Sequence, residues 1–465
     1  MVWDKFLVDE FSPIAIYNQV KNLFKNEKIF LFESVINNSD GNYSFIFIGE
    51  KERVKYQNEK TYHFDGKEEK IIDQDAFSFL KEYYKKIDVD KYKKLSHELK
   101  IGFVDGFVGY IGYDLVKVFE PVLKKSMESL KDETQIPDLY MIRPKIVLGY
   151  SHKSSILTAI INEEEYYDRL YTIRDVINSS YKHEPLKKVR ILQKPQFVFS
   201  KEEFFAMVRN AKKHIQAGDI FQIVLSNRLK VKAEVDKFSF YRKLRSKNPS
   251  PYLFFIDVED FAIIGSSPEV MVRLTEDRIL LRPIAGTRKR GDTLKKDLEL
   301  EQDMLNDPKE VAEHIMLVDL GRNDVGRVAK AGSVKVEELM RVERYSHVMH
   351  LVSDVVGILD NRYDMFDLFK ATFTAGTMSG APKIKAMELI AKYEKLKRGF
   401  YAGSVGYFGF DGNMDTAITI RSALVKGDEI IFQAGAGVVA DSKEELEYKE
   451  VNNKLGALVA TLDEL

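Results

Sequence analysis

Two pairs of glutamates recur at a spacing of three, Glu310 with Glu313 in "KEVAEHIMLVDL" and Glu447 with Glu450 in "EELEYKEV". That spacing sets both carboxylates of a pair on one helix face. Two such faces brought together would make an oxygen-only site of the kind Mg²⁺ accepts. A single pair is equally a solvated helix face, although Glu313 abuts the apolar run "IMLVDL" rather than other charges. Glu269, in "SSPEVMV" (266–272), stands between a turn and a strand. If buried there it could be held protonated and act as a general acid; if exposed it is an ordinary turn residue. His350, in the apolar run "SHVMHLVSDVV", reads either as an acid–base group or as a core histidine. "GTMSGAPK" (376–383) and "QAGAGVV" (433–439) could present backbone N–H groups to an anion or form tight turns. Neither has the spacing of a P-loop or a dinucleotide fingerprint.

The chain has no cysteine, which excludes disulfides, thiolate metal sites and a cysteine nucleophile. Lys+Arg 71 against Asp+Glu 72 leaves a net charge of −1, so no overall field draws the chain to nucleic acid, and "RPIAGTRKRG" (282–291) reads as a charged turn beside a strand. No apolar run is long enough to suggest a membrane span, and the opening "MVWDKFLVDE" lacks the layout of a signal peptide. A cytoplasmic protein is the expectation.

The elements that must carry these residues mix helices and strands without regular βα alternation, which predicts an α+β fold built on antiparallel sheets. "FLFES" (30–34) and "YSFIFIG" (43–49) flank the turn-like "NNSDGN" (37–42) and read as paired strands. Further strands are expected at 106–114, 145–150 and 219–231, and a helix at 163–177. Helices are also expected at about 238–247, 295–306, 309–318, 381–395 and 443–460. Ser200 with Glu203, and Ser442 with Glu445, have the capping-box spacing. The charged, proline-containing segment 181–197 suggests a boundary between an N-terminal part, 1–180, and a C-terminal part, 181–465, that holds the cleft.

Taken together and in this order, several segments resemble the chorismate-utilising enzymes, most closely the anthranilate synthase component I group. They are "NPSPYLFF" (248–255), "GSSPE" (265–269), "RPIAGTR" (282–288), "AEHIMLVDLGRND" (312–324), "RYSHVMHLVS" (344–353), "GTMSGAPK", "GSVGYFGF" (403–410), "TAITIRSA" (416–423) and "QAGAG" (433–437). "LFES" (31–34) and "GFVGYIGYDLVKVFE" (106–120) extend the likeness more thinly into the N-terminal half.

The resemblance implies two antiparallel sheets packed as a sandwich, flanked by helices, with one cleft. It implies amination of chorismate at C2 with loss of the 4-hydroxyl, then pyruvate elimination to anthranilate, as in tryptophan biosynthesis. By the family's motifs Glu313 and Glu450 would hold Mg²⁺, with Glu310 and Glu447 at water distance, and Glu269 would be the general acid. His350 matches a histidine associated with pyruvate elimination. Thr377, Tyr407, Arg421, Lys454, Gly435 and Gly437 would hold the substrate's carboxylates. Gln222 stands where isochorismate and salicylate synthases have a lysine base. Ala285 stands where many aminodeoxychorismate synthases have a lysine.

Without a cysteine nucleophile, the chain is expected to use free ammonia or receive it from a glutamine amidotransferase subunit. Ser34 together with Asn248, Pro249, Pro251 and Tyr252 of "NPSPY" resembles a tryptophan feedback site. Phe32 departs from the family's usual leucine, and "TFTAGT" (372–377) lacks a proline often found before "AGT". The rivals are an aminodeoxychorismate synthase component I and, from another class, a non-catalytic tryptophan-sensing protein.

Overall fold

The structure is a computed structural model and describes residues 1–34, 43–179, 183–345 and 348–465. Its organising feature is the long antiparallel ladder between strands Tyr43–Gln57 and Leu139–Ser151. A register shift between Glu50 and Glu52 divides this ladder, and such a bulge bends a strand and sharpens its twist. The two halves therefore serve different layers of the fold.

The first layer runs Val2–Leu7, Ile156–Ile161, the Tyr43/Ser151 half of the ladder, Ile29–Glu33, Tyr252–Asp257, Phe261–Ser267, Ser422–Lys426, Glu429–Val438, Gln222–Glu234 and Arg190–Phe197. The second continues from the other half through Gly106–Ile111, Ser404–Gly409, Met414–Ile418, Val270–Thr275, Arg278–Leu281 and Val348–Ile358. Lys335–Arg344 and Ile284–Lys289 both pair with this last strand. All these pairings are antiparallel, so the α+β sandwich is as expected, with the ladder continuous from one layer into the other.

Strand alternation explains why two cores form. Phe45 and Phe47 point into a core shared by the layers, where Phe254 and Ile256 meet Val272, Val405 and Met414. Ile46 and Ile48 point the other way, into a core roofed by helices Pro13–Leu23, Arg169–Ile177, Lys201–Gln216, Lys237–Lys247, Lys383–Glu394 and Glu444–Asp463. Strands buried on both faces need the near-continuous apolar runs seen in the sequence.

The expected parts 1–180 and 181–465 interleave. Ile29–Glu33 pairs with Tyr252–Asp257, and Gly106–Ile111 pairs with Ser404–Gly409. From the boundary segment, Arg190–Phe197 forms an edge strand on Gln222–Glu234 with every residue exposed, a place where Pro195 costs no ladder bond.

Ser200 and Glu203 form the expected capping box. Ser442 does not: the last helix begins at Glu444 without a side-chain cap, and the Ser442 hydroxyl accepts from Val439 N instead. Three acidic residues in its first turn, Glu444, Glu445 and Glu447, favour that helix end through the macrodipole. The helix expected at 163–177 is shorter, a 3₁₀ turn followed by Arg169–Ile177. The turn "NNSDGN" lies outside the described residues. Among the described residues, no helix is long and apolar enough to cross a membrane.

Candidate active site

A cleft of about 550 Å³ opens where the two layers meet the helices Pro308–Gly326 and Glu444–Asp463. Its floor is the pair of strands Gln222–Glu234 and Glu429–Val438, in which Val224 faces Gly437 and Ser226 faces Gly435. Gly435 is required for space, since an added methyl group would sit 2.9 Å from the Leu225 carbonyl oxygen. A methyl group on Gly437 would sit 2.6 Å from the Gln222 amide nitrogen, and one on Gly435 2.9 Å from the Tyr401 hydroxyl. Side chains from neighbouring elements thus cross bare backbone to reach the cleft.

The four glutamates line this one cavity. Asp307 caps the first helix by accepting from the Lys309 and Glu310 amides, with Pro308 in the first turn where its missing N–H costs nothing. The cap sets the register that turns Glu310 and Glu313 inward. Glu313 accepts 2.8 Å from Gln222 Nε2. Burial pushes its carboxyl above the usual range, and the charges of Glu310 and Glu450 push the same way against the Gln222 bond. Glu447 is also raised, by burial and then by Glu450. Glu450 pairs with Lys454 at 2.8 Å, while Lys454 also donates to the Gly435 carbonyl. Glu310 is held by Arg288 at 2.8 Å, which also binds Asp303 and Asp307.

Among the described residues, no three acidic or histidine side chains stand close enough to enclose a metal ion. An ion needing an all-protein cage does not fit. One that keeps waters and takes one or two carboxylates plus a substrate oxygen does, and mutually repelling carboxylates favour a cation between them.

The same cleft is lined by Glu269, only 6 % exposed. Burial raises its carboxyl from 4.5 to about 8, against the lowering effects of the Thr377 hydroxyl, the Arg421 charge and the Ile284 backbone N–H. Thr377 donates to Glu269 Oε1 at 2.9 Å. At neutral pH this carboxyl keeps its proton and can donate it. Arg421 is exposed to the cleft, and desolvation by its surroundings lowers its own affinity for a proton. It holds a left-handed φ of 49°, a strained conformation for a side chain of this size.

His350 Nδ1 lies 2.9 Å from the Gly286 carbonyl oxygen and 3.1 Å from the Thr287 hydroxyl. A carbonyl can only accept, so Nδ1 carries the proton and Nε2 holds the free lone pair. Nε2 is buried in the cleft wall without a partner among the described residues, and burial lowers the imidazole to about 4, so the ring is neutral. Ala285 lies in the same wall, paired with Leu351.

Tyr407 is a correction: it lies outside the cleft. It sits on Ser404–Gly409 opposite Asp415 and Val108, with its ring against Phe45 and Phe103 between the layers. There it lines a second cavity of about 240 Å³ with Ser34, Pro251 and Tyr252. Asn248 and Pro249 do not line that cavity. Asn248 ends the helix Lys237–Lys247, and its carbonyl accepts from the Ser266 hydroxyl. The polar wall includes Arg273 and Asp415, which sequence reasoning passed over. The Tyr252 hydroxyl donates to Asp415 at 2.8 Å and accepts from Arg273 at 2.7 Å. Tyr401, Thr287 and Lys309 were likewise missed in the cleft. Thr287 lies within "RPIAGTR" (282–288) and Tyr401 two residues before "GSVGYFGF" (403–410), so membership of, or proximity to, these segments was the available signal.

The sequence matches the chorismate binding enzyme family over residues 28–460. It is 43% identical to anthranilate synthase component 1 of Aquifex aeolicus over 99% of this chain and 94% of that protein. It is 38% identical to the Acinetobacter calcoaceticus protein of the same name over 99% and 95%. The crystal structure of anthranilate synthase component I from Streptococcus pneumoniae is similar with a TM-score of 0.78 at 33% identity, covering 97% of this chain and 98% of that one. With a match spanning both layers and every wall of the cleft, the chain belongs to the chorismate binding enzyme family.

Proposed function

We propose that this chain is the chorismate-aminating subunit of an anthranilate synthase. The observation that carries the reading is Glu269, a carboxyl kept protonated by burial in the cleft that four glutamates also line, with the Arg421 charge acting on it and Gln222 bound to Glu313. Ammonia's lone pair adds at C2, both ring double bonds shift (C1=C2 to C1=C6 and C5=C6 to C4=C5), and the C4–O bond breaks as Glu269 protonates the departing hydroxyl, releasing water. Loss of the C2 proton and cleavage of the C3 ether bond then give anthranilate and pyruvate. Neutral Gln222 suits ammonia, because no water proton has to be removed before attack. His350 Nε2, a lone pair in the cleft wall, suits the elimination step. Arg421, Lys454 and the N–H groups near Gly435 and Gly437 supply donors for the two carboxylates.

Glu313 and Glu450 are the residues we assign to Mg²⁺, with Glu310 and Glu447 beside them; the ion would anchor and polarise the ring carboxylate. The absence of an amine at Ala285 supports direct attack at C2 over the covalent route of a C4-aminating enzyme.

Because the chain has no cysteine, its ammonia from glutamine must come from a separate amidotransferase subunit. With chorismate and Mg²⁺, an ammonium salt should give fluorescent anthranilate, whereas glutamine should give none until that subunit is added. Turnover of glutamine by the isolated chain would contradict the subunit assignment.

The second cavity we assign to tryptophan as feedback inhibitor. Aromatic walls suit an indole, and the buried Ser34 hydroxyl oxygen has no partner among the described residues. Ser34→Arg would fill this cavity of about 240 Å³. The tryptophan concentration for half inhibition should rise on the order of tenfold or more, equivalent to about 1.4 kcal/mol of lost binding. An unchanged inhibition curve would place the inhibitor elsewhere.

A further inference from the structure

Behind the cleft floor, out of reach of any substrate, lies a fully buried guanidinium, Arg398, at 1 % exposure. Its Nη1 donates to the Met378 carbonyl at 2.8 Å and its Nη2 to the Val224 carbonyl at 2.8 Å. Its Nε and Nη2 grip Glu394 at 2.9 and 2.6 Å. Glu394 in turn accepts from the backbone and hydroxyl of Ser226, both at 2.9 Å. Met378 is the residue after Thr377, whose hydroxyl holds Glu269, and Val224 is two residues from Gln222. The same loop and strand also meet directly, Val224 N donating to the Ser379 carbonyl at 2.9 Å. The guanidinium lies 4.8 Å from the Tyr113 ring centroid and 5.6 Å from that of Tyr401, which faces the cleft.

We infer that Arg398 is a positioning residue for the amination step, fixing the loop that aims Thr377 at Glu269 relative to the strand that presents Gln222. The inference rests on the reading of Glu269 as general acid. The case is geometric: one planar fork holds two carbonyls from separate elements and a carboxylate at once. A lysine keeps the charge beside Glu394 but, as a single point donor, cannot span all three acceptors. A small displacement of a catalytic group is enough to cost catalysis without unfolding the protein.

The test is a double-mutant cycle of Arg398→Lys and Thr377→Val, assayed at fixed free ammonia. Each single variant should lose roughly 10- to 100-fold in kcat, and the double variant should fall little below the worse single. The Thr377 bond favours ionised Glu269, so its loss should move the basic limb of the pH profile upward in both singles, with no further shift in the double. Losses that multiply in the double variant, or an unmoved limb in Arg398→Lys, would overturn the inference.

Turnover is not needed for a second reading. The Glu269 pKa follows from the pH dependence of the Tm difference between each variant and its Glu269→Gln counterpart. It should lie higher in Arg398→Lys than in wild type, and an identical value would contradict the positioning role. If wild type makes no anthranilate, the activity assignment fails while this comparison still decides the role of Arg398. Should Arg398→Lys fail to fold, Glu394→Gln loosens the same guanidinium more gently. It should shift the Glu269 pKa the same way by less, and no shift would again be contrary.

Discussion

Glu269→Gln is expected to lower anthranilate formation by roughly 10²–10⁴-fold, the usual contribution of a positioned general acid. Equilibrium binding of chorismate should persist, because the amide keeps the side chain's shape and its acceptor for Thr377. The same substitution should stabilise the protein, and only at higher pH. Burial raises the Glu269 carboxyl from 4.5 to about 8 in the fold. Its contribution to stability is therefore fully present below the unfolded value and is lost as pH rises through the folded one. Each unit of displacement is worth about 1.4 kcal/mol, so wild type surrenders several kcal/mol between about pH 4.5 and pH 8 that the glutamine variant keeps. The variant's gain in Tm should be small at pH 5 and large at pH 9. Unimpaired turnover would remove Glu269 as the acid, and a pH-independent Tm difference would mean the carboxyl is not held protonated by burial.

The second large effect concerns the cation. Glu313→Gln preserves an oxygen to accept the Gln222 bond, so it removes charge with little change in shape. Glu313 is repelled by Glu310 and Glu450, and losing one charge should raise the Tm of the metal-free protein. Wild type should gain Tm as Mg²⁺ is added, since a ligand of the folded state alone stabilises by mass action. In the variant the Mg²⁺ concentration for half that gain should rise at least about 100-fold, beyond the usual cost of disturbing a residue that merely supports a ligand. Equal Mg²⁺ responses in the two proteins would take Glu313 out of the metal site.

Legibility in the sequence followed local geometry. The glutamate pairs were readable because helical periodicity fixes a face, and the cleft indeed gathers Glu310, Glu313, Glu447 and Glu450. What periodicity alone could not do was bring two distant helices together; that was implied only by the resemblance to the chorismate-utilising enzymes. Tyr407 went to the wrong cavity for a physical reason. Its strand, Ser404–Gly409, is buried on nearly every residue, so no polar side marks which face meets the cleft. Tyr401, a few residues earlier and off the strand, is the tyrosine that reaches it.

Ser442 misled because the capping-box spacing constrains a helix start only when nothing else competes for the hydroxyl. Here the Val439 amide does. Asn248 carries a motif residue's type, but its backbone N–H donates to the Leu244 carbonyl to end a helix and its carbonyl accepts from Ser266. Arg398 was invisible for a different reason. Its partners Met378, Val224 and Glu394 come from three elements, and only the packed structure shows one guanidinium joining them.

Attack at C2 of chorismate, with Glu269 as the acid, is the step that sets the proposed reaction apart from that of a C4-aminating enzyme. Its most direct test is the identity of the product formed from chorismate, Mg²⁺ and an ammonium salt by the isolated chain. Anthranilate with an equimolar amount of pyruvate is the predicted result, and a C4-aminated product that retains its enolpyruvyl group would contradict it.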